Sequence, residues 1–375
     1  MSEWKEYKLG EIADNLDYKR TPLSSMERSQ RKGIYPYYGA SGIIDYIDDY
    51  LFDGEHILIS EDGENLRTRQ TPIAFLATRK FWVNNHAHIL KADYIHTRLI
   101  CYYFAQLDLN PYLTGAVQPK LSQDSLNRIP LFLPTSIYER EKIVFILSSL
   151  DDKIDLLRRE NATLEKMAET LFRQWFIEDA KDHWEQGVVA DFARHCKESI
   201  NPQRVPDSVF LHYSIPAFDD GKKPTIETGK DIQSNKYIIP ADCILFSKLN
   251  PHKDKRVWLI HDDIPENAIC STEFQIVKPL NSEYLYFLYG WLTNQENYEE
   301  IASGVGGTSG SHQRIDPKSI FSFSCPNVDL EILGNYNNIV EPLFFKQRNN
   351  QKQIQNLIQT RDGLLPKLMS NEIKL

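Results

Sequence analysis

Residues 141–157 read EKIVFILSSLDDKIDLL, and the spacing of their apolar side chains decides the architecture. Ile143, Leu147, Leu150, Ile154 and Leu157 are separated by alternating steps of four and three, and the stepping continues through Asn161, Leu164, Ala168 and Leu171. That is a heptad seam, which a helix buries against a partner helix. No glycine or proline falls between Tyr138 and Glu178, so the pattern predicts one helix over that range, a rod of about 60 Å at ~1.5 Å per residue. Asn161 occupies a seam position where an apolar residue packs better; a single buried Asn costs stability and fixes register.

A shift of 193 residues carries this seam onto Tyr336, Val340, Leu343, Gln347, Asn350, Ile354, Leu357, Arg361, Leu364 and Leu368. A second helix is therefore predicted from about Asn335 to Met369, with a polar centre, Pro342 near its start and Pro366 bending or ending its last turn. The segments before the two helices also echo each other. Trp4 to Asp14 resembles Trp184 to Asp191, Asp53 to Ser60 resembles Pro240 to Ser247, and Gly115 to Leu126 (GAVQPKLSQDSL) resembles Gly307 to Ile320 (GTSGSHQRIDPKSI). Three echoes in one order, each series ending in a helix, read as two copies of one plan.

The expected fold is α/β (α+β): two globular domains separated by two long helices that pair as an antiparallel coiled coil, in a pseudo-two-fold internal repeat. The expected segments are a first globule at 1–137, a central helix at 138–179, a second globule at 180–327 and a distal helix at 328–375. Antiparallel pairing would put the globules at opposite ends of the rod. The alternative is a homodimerising coiled coil carrying two unrelated binding domains.

Composition agrees with a folded protein of two or three domains: 375 residues, 41% hydrophobic and 25% charged. Mean hydropathy is −0.45, and no apolar run approaches the ~18 residues of a membrane helix. The start, Met1-Ser2-Glu3-Trp4-Lys5, lacks the basic and apolar segments of a secretory signal, so a cytoplasmic location is expected. The five cysteines contain no CxxC pair, and neither a disulfide framework nor a metal site is expected. A net charge of −9 argues against a protein coated in nucleic acid. It leaves room for a local basic groove.

Such clusters exist. The first globule has Lys19, Arg20, Arg28, Arg31 and Lys32, and later Lys120; the second has Lys222 and Lys223, then Lys248, Asn250, Lys253, Lys255 and Arg256, then Gln313 and Arg314. Lys and Arg neutralise phosphates, and Arg, Asn and Gln read base edges. Two unlike heads on one rod match the pseudo-two-fold symmetry of a duplex, whose equivalent groove faces recur every ~34–36 Å. The acidic residues Asp45, Asp48, Asp49, Asp53, Glu55, Glu61, Asp62 and Glu64 cannot face phosphate; they point elsewhere or meet a partner's basic surface.

Catalytic motifs are missing. Asn110-Pro111-Tyr112 has one proline too few for an adenine-methyltransferase loop, and Gly304 to Ser311 lacks the Lys of a phosphate-binding loop. His86 and His88 are two apart with no third ligand signalled, and Asp151-Asp152 reads as a solvated helix face. No nuclease carboxylate pair or nucleophile constellation can be placed.

With these residues in view, the whole chain resembles the specificity subunit of type I restriction-modification enzymes. Residues 141–157 and Asn161 to Phe176 (NATLEKMAETLFRQWF) look like the family's central region, and Arg361 to Leu368 (RDGLLPKL) like its distal region. Asp53 to Leu66 (DGEHILISEDGENL), Asn84 to His88 and Gln118 to Leu121 look like further family signatures. The resemblance implies that each globule is a target-recognition domain for half of a bipartite, asymmetric DNA site, and that the helices set the gap. It implies two modification subunits supplying adenine methylation with S-adenosylmethionine, and restriction subunits using ATP and Mg. The chain itself would carry no cofactor and no chemistry. A remnant of a fused restriction-methylation enzyme, or a free-standing coiled-coil DNA-binding or interaction protein, are the alternatives.

Overall fold

Five consecutive buried residues, His56–Ser60, make the central strand of one four-stranded antiparallel sheet, and five more, Cys243–Ser247, make the central strand of another. Unbroken burial without alternation means that both faces are covered. Left-handed turns lead into them, through Gly54 at φ +93° and Asp242 at φ +45°. The computed structural model describes residues 3–115, 117–261, 264–303, 305–306 and 314–375. It divides into one unit of residues 1–157 with 352–375 and another of residues 158–351.

In the first unit the sheet order is Asp14–Asn15, Ala87–Lys91, His56–Ser60, Ala74–Ala77, with Ile57 opposite Leu90 and Ile59 opposite His88. In the second unit it is Ala193–Cys196, Phe274–Pro279, Cys243–Ser247, Val257–Ile260, with Ile244 opposite Val277 and Phe246 opposite Gln275. The two orders are the same plan. So are the closing strand pairs, Trp4–Lys8 with Pro130–Pro134 and Gln186–Val188 with Ser324–Pro326. The helices Tyr94–Gln106 and Tyr284–Thr293 follow at equivalent points.

All three sequence echoes fall on matching elements, although residues 307–313 of the third lie outside the described residues. The units differ in their remaining sheet. The first has three strands, Gly42–Ile47, Lys32–Gly39 and Trp82–Val83; the second has five, Ser199–Ile200, Lys236–Ile238, Ala268–Ser271, Val209–Tyr213 and Thr225–Thr228.

The central helix is α-helical over Ile137–Arg173 and finishes in a wider π-helical turn, Gln174–Glu178. That turn places Phe176 edge-on to Phe287 at 4.9 Å and Tyr336 at 4.8 Å. The distal helix runs Leu330–Met369, five residues earlier than predicted. Pro342 is therefore well inside it rather than near its start, and Pro366 does not end it. Both prolines are exposed, where water can satisfy the carbonyls that lose their N–H partner.

The seam is buried, but by more than the opposite helix. Within the first unit Ile143, Leu147 and Leu368 join the core of the globule, with Leu364 packed against it. Within the second unit Val340 belongs to the core, with Leu171 and Leu343 against it. Leu150 and Leu164 are half-buried. Helix-on-helix packing alone accounts for a separate small cluster of Ile154, Leu157 and Ile354 with Leu357 and Ile358. The direction is antiparallel, since Asp151 meets Arg361 while Leu157 shares its cluster with Ile354. Asp151 is not merely solvated: it accepts from Arg361 at 2.8 Å and from the Tyr102 hydroxyl at 2.7 Å, while Asp152 is exposed. No helix among the described residues is long and apolar enough to cross a membrane.

Candidate nucleic-acid interface

The hairpin Lys32–Gly39/Gly42–Ile47 returns the acidic run onto the basic one. Arg28 Nε lies 3.3 Å from Asp45, and Lys32 Nζ 2.7 Å from the other oxygen of the same carboxylate. Arg31 pairs with Asp48 at 2.9 Å and Asp49 at 3.6 Å, its guanidinium over Trp82. The carboxylates that cannot face phosphate thus face the chain's own cations. Lys19 is exposed, stacked on the Tyr18 ring, and forms no ion pair among the described residues.

Arg20 is knitted into a buried network. Its guanidinium donates to Glu61 at 2.5 Å and to the Ala87 carbonyl at 2.9 Å, and lies 3.4 Å from Asp17. Lys120 reaches the other Glu61 oxygen at 3.1 Å. His88 is 1% exposed, with Nδ1 2.5 Å from Asp17 and Nε2 2.8 Å from the Leu121 carbonyl. Both ring nitrogens face acceptors. Burial by itself raises the Asp17 pKa, but His88, the Ile89 N–H and Arg20 outweigh it and hold the carboxyl below its usual range. His86, just before the strand, pairs instead with Asp62 at 2.8 Å.

Asp17, Glu61 and His88 bring potential ligand atoms within 4.8 Å of one another. The carboxylates, however, are occupied by Arg20, Lys120 and the Ile89 N–H. The donor set fits a closed ion-pair network better than a cation.

The second unit treats its candidates differently. Arg256 is locked by two bonds to Asp219, at 2.7 and 2.9 Å, and one to Asp254 at 2.7 Å. Arg314 forks onto Glu273 at 2.8 and 3.1 Å. Lys255 donates to the Thr293 carbonyl at 2.8 Å, and Lys222 lies over Phe218, 3.8 Å from Glu165. Lys223, Lys248 and Lys253 form no ion pair among the described residues, and Asn250 sits at φ +47° in the turn between Lys248 and Lys253. Gln313 lies outside the described residues.

Three residues were not singled out from sequence: Lys197, His195 and Gln275. The repeat points to Gln275, because aligning the two buried strands sets Lys248 on Glu61 and Gln275 on His88.

The type I restriction modification DNA specificity domain family matches residues 1–166. Along its full length the chain is similar to the type I restriction enzyme MjaIX specificity subunit of Methanocaldococcus jannaschii, 25% identical over 430 aligned positions that cover 100% of this chain and 97% of that one. Residues 1–166 thus carry the specificity-domain match, and the chain as a whole is similar to a type I restriction enzyme specificity subunit. A putative specificity subunit of Haemophilus influenzae is 32% identical over 230 residues, covering 59% of this chain; the match spans 58% of that relative's length. The crystal structure of a type I S subunit from M. genitalium shares the fold, with a TM-score of 0.62 at 16% identity, covering 98% of this chain and 96% of that one.

Proposed function

We propose that this chain is a specificity subunit that reads a bipartite, asymmetric DNA site, with globules 1–137 and 180–327 as two target-recognition domains and the paired helices as the spacer. The observation that carries this reading is the repeat with a difference: one four-stranded sheet order occurs twice, accompanied by three strands in the first unit and five in the second. One scaffold bearing two unlike attachments suits two unlike half-sites on a duplex whose own symmetry is pseudo-two-fold. Of the candidate cations, Lys19, Lys223, Lys248 and Lys253 form no ion pair among the described residues and are available to phosphate.

Chemistry in this reading belongs to other chains in the cytoplasm: two modification subunits using S-adenosylmethionine, and restriction subunits using ATP and Mg. The test is co-expression with a modification subunit, followed by methylome sequencing. Adenine methylation at two different short motifs across a fixed gap is expected, and none from this chain alone. Methylation by the chain alone, or a single continuous motif, refutes the proposal.

A further inference from the structure

The place just beyond the buried strand is built twice, with opposite charge. Glu61 and Lys248 each follow that strand's last residue. The Glu61 backbone donates to His86 and accepts from Leu121, at 2.9 and 2.8 Å; that of Lys248 donates to Glu273 and accepts from Ile315, at 3.0 and 2.9 Å. Pairing register makes His88 and Gln275 equivalent, opposite Ile59 and Phe246. Lys120 and Arg314 are likewise equivalent, each one residue before the crossing N–H.

In the first unit the place is closed: two carboxylates, Asp17 and Glu61, meet Arg20, Lys120 and His88. In the second unit Arg314 has Glu273, but among the described residues Lys248 meets no carboxylate and neither does Lys197, whose strand neighbour Cys196 pairs with Ile276. Strand alternation turns His195, Gln275 and Phe246 to one sheet face, since His195 is opposite Val277 and Gln275 opposite Phe246. Gln275 is 1% exposed and its Oε1 has no hydrogen-bond partner; His195 Nε2 has none either. Burial first, then the positive charge of Lys197 and Lys248, pushes the His195 pKa down to about 4. This imidazole is neutral at physiological pH and feels both lysines. Uncompensated positive charge beside unsatisfied polar groups attracts an anion.

We propose that the strand-end cluster of Lys197, Lys248 and Arg314 seats a backbone phosphate of the half-site read by the second unit, while the equivalent place in the first unit seats none. This rests on the DNA-reading role above and adds that the two half-sites are held unequally: the second supplies salt-sensitive anchoring that the first lacks at this position.

The test is the salt dependence of duplex binding by the complex with its modification subunit, using DNA that carries the methylated motif. Each neutralised phosphate contributes about 0.9 to the slope of log K against log salt. The double variant Lys197→Ala/Lys248→Ala is expected to lower the slope by about one such contact, whereas Lys197→Arg/Lys248→Arg keeps it. Lys120→Ala, at the equivalent place in the first unit, is expected to leave the slope as it is. Neither Lys197 nor Lys248 is ion-paired, so melting temperatures should stay close to that of the parent chain. An unchanged slope in the alanine double variant, or an equal loss from Lys120→Ala, overturns the unequal anchoring while leaving DNA reading intact. Failure of the parent complex to bind any duplex overturns both.

Discussion

Asn350 donates its side-chain N–H to Asn161 Oδ1 at 2.9 Å while 1% of its surface is exposed. It also donates to Glu160 at 2.9 Å, and Gln347 donates to the Asn161 backbone carbonyl at 2.9 Å. The polar residue on each seam therefore finds the other. Asn350→Leu strands an acceptor and is expected to cost about 1–3 kcal/mol. Asn161→Leu/Asn350→Leu removes both partners and should return to within about 1 kcal/mol of the parent. Urea midpoints of the two variants decide it: a double variant no more stable than the single denies the pairing.

Gly290 lies against the Phe172 ring, and a Cβ there would overlap Cδ2, Cε2 and Cγ alike. Phe172 is 2% exposed in a core with Phe176 and Phe287 and cannot give way freely. Gly290→Ala is expected to destabilise by about 1–3 kcal/mol despite its helix-favouring residue. A thermal melt at or above the parent's would show that the ring moves without cost.

His261 lies edge-on to both rings of the stacked Tyr286–Phe344 pair, at 6.1 and 6.2 Å between ring centres. Burial, then the charge of Arg348, pushes its pKa down to about 4. The unfolded chain takes up a proton below about 6.5 that the folded chain refuses, so stability falls as pH drops from there toward 4. His261→Gln should flatten that fall, with His195, His56 and His212, whose pKa values burial also lowers, supplying the remainder. Urea unfolding at pH 7 and pH 5 reads the difference, and an unchanged pH dependence in the variant would mean that the folded ring accepts the proton.

Asp17 acts at lower pH. Its folded pKa lies below the ordinary 3.8, so its stabilisation is full above about 4 and disappears as acid protonates the native carboxylate. Asp17→Asn leaves His88 and Arg20 with Glu61 but without Asp17 and is expected to cost about 1–3 kcal/mol near neutrality. Parent and variant unfolding curves should converge below about pH 3. A constant gap between them down to that pH would place the stabilising charge elsewhere.

The seam of Ile143, Leu147, Ile154 and Leu157 is local information, because 3.6-residue periodicity is a property of consecutive residues. It announced both long helices and their repeat. The buried strands His56–Ser60 and Cys243–Ser247 were legible for the same reason, as short apolar runs behind turn residues. The seam alone puts the start of the distal helix near Asn335 rather than at Leu330, and Pro342 is tolerated inside it by solvent exposure that no local pattern records. The basic clusters were visible too, but the fate of each charge was not. Arg28, Arg31 and Lys32 are neutralised by carboxylates brought back on a hairpin, and Arg20 by nearby Asp17 together with Glu61, 41 positions away.

The sequence by itself determined the two long helices, the duplication and the family resemblance. Only the tertiary structure decided which cations remain free for a ligand, because an ion pair depends on distance in space, and strand register rather than chain order places Lys248 in the second unit where Glu61 stands in the first.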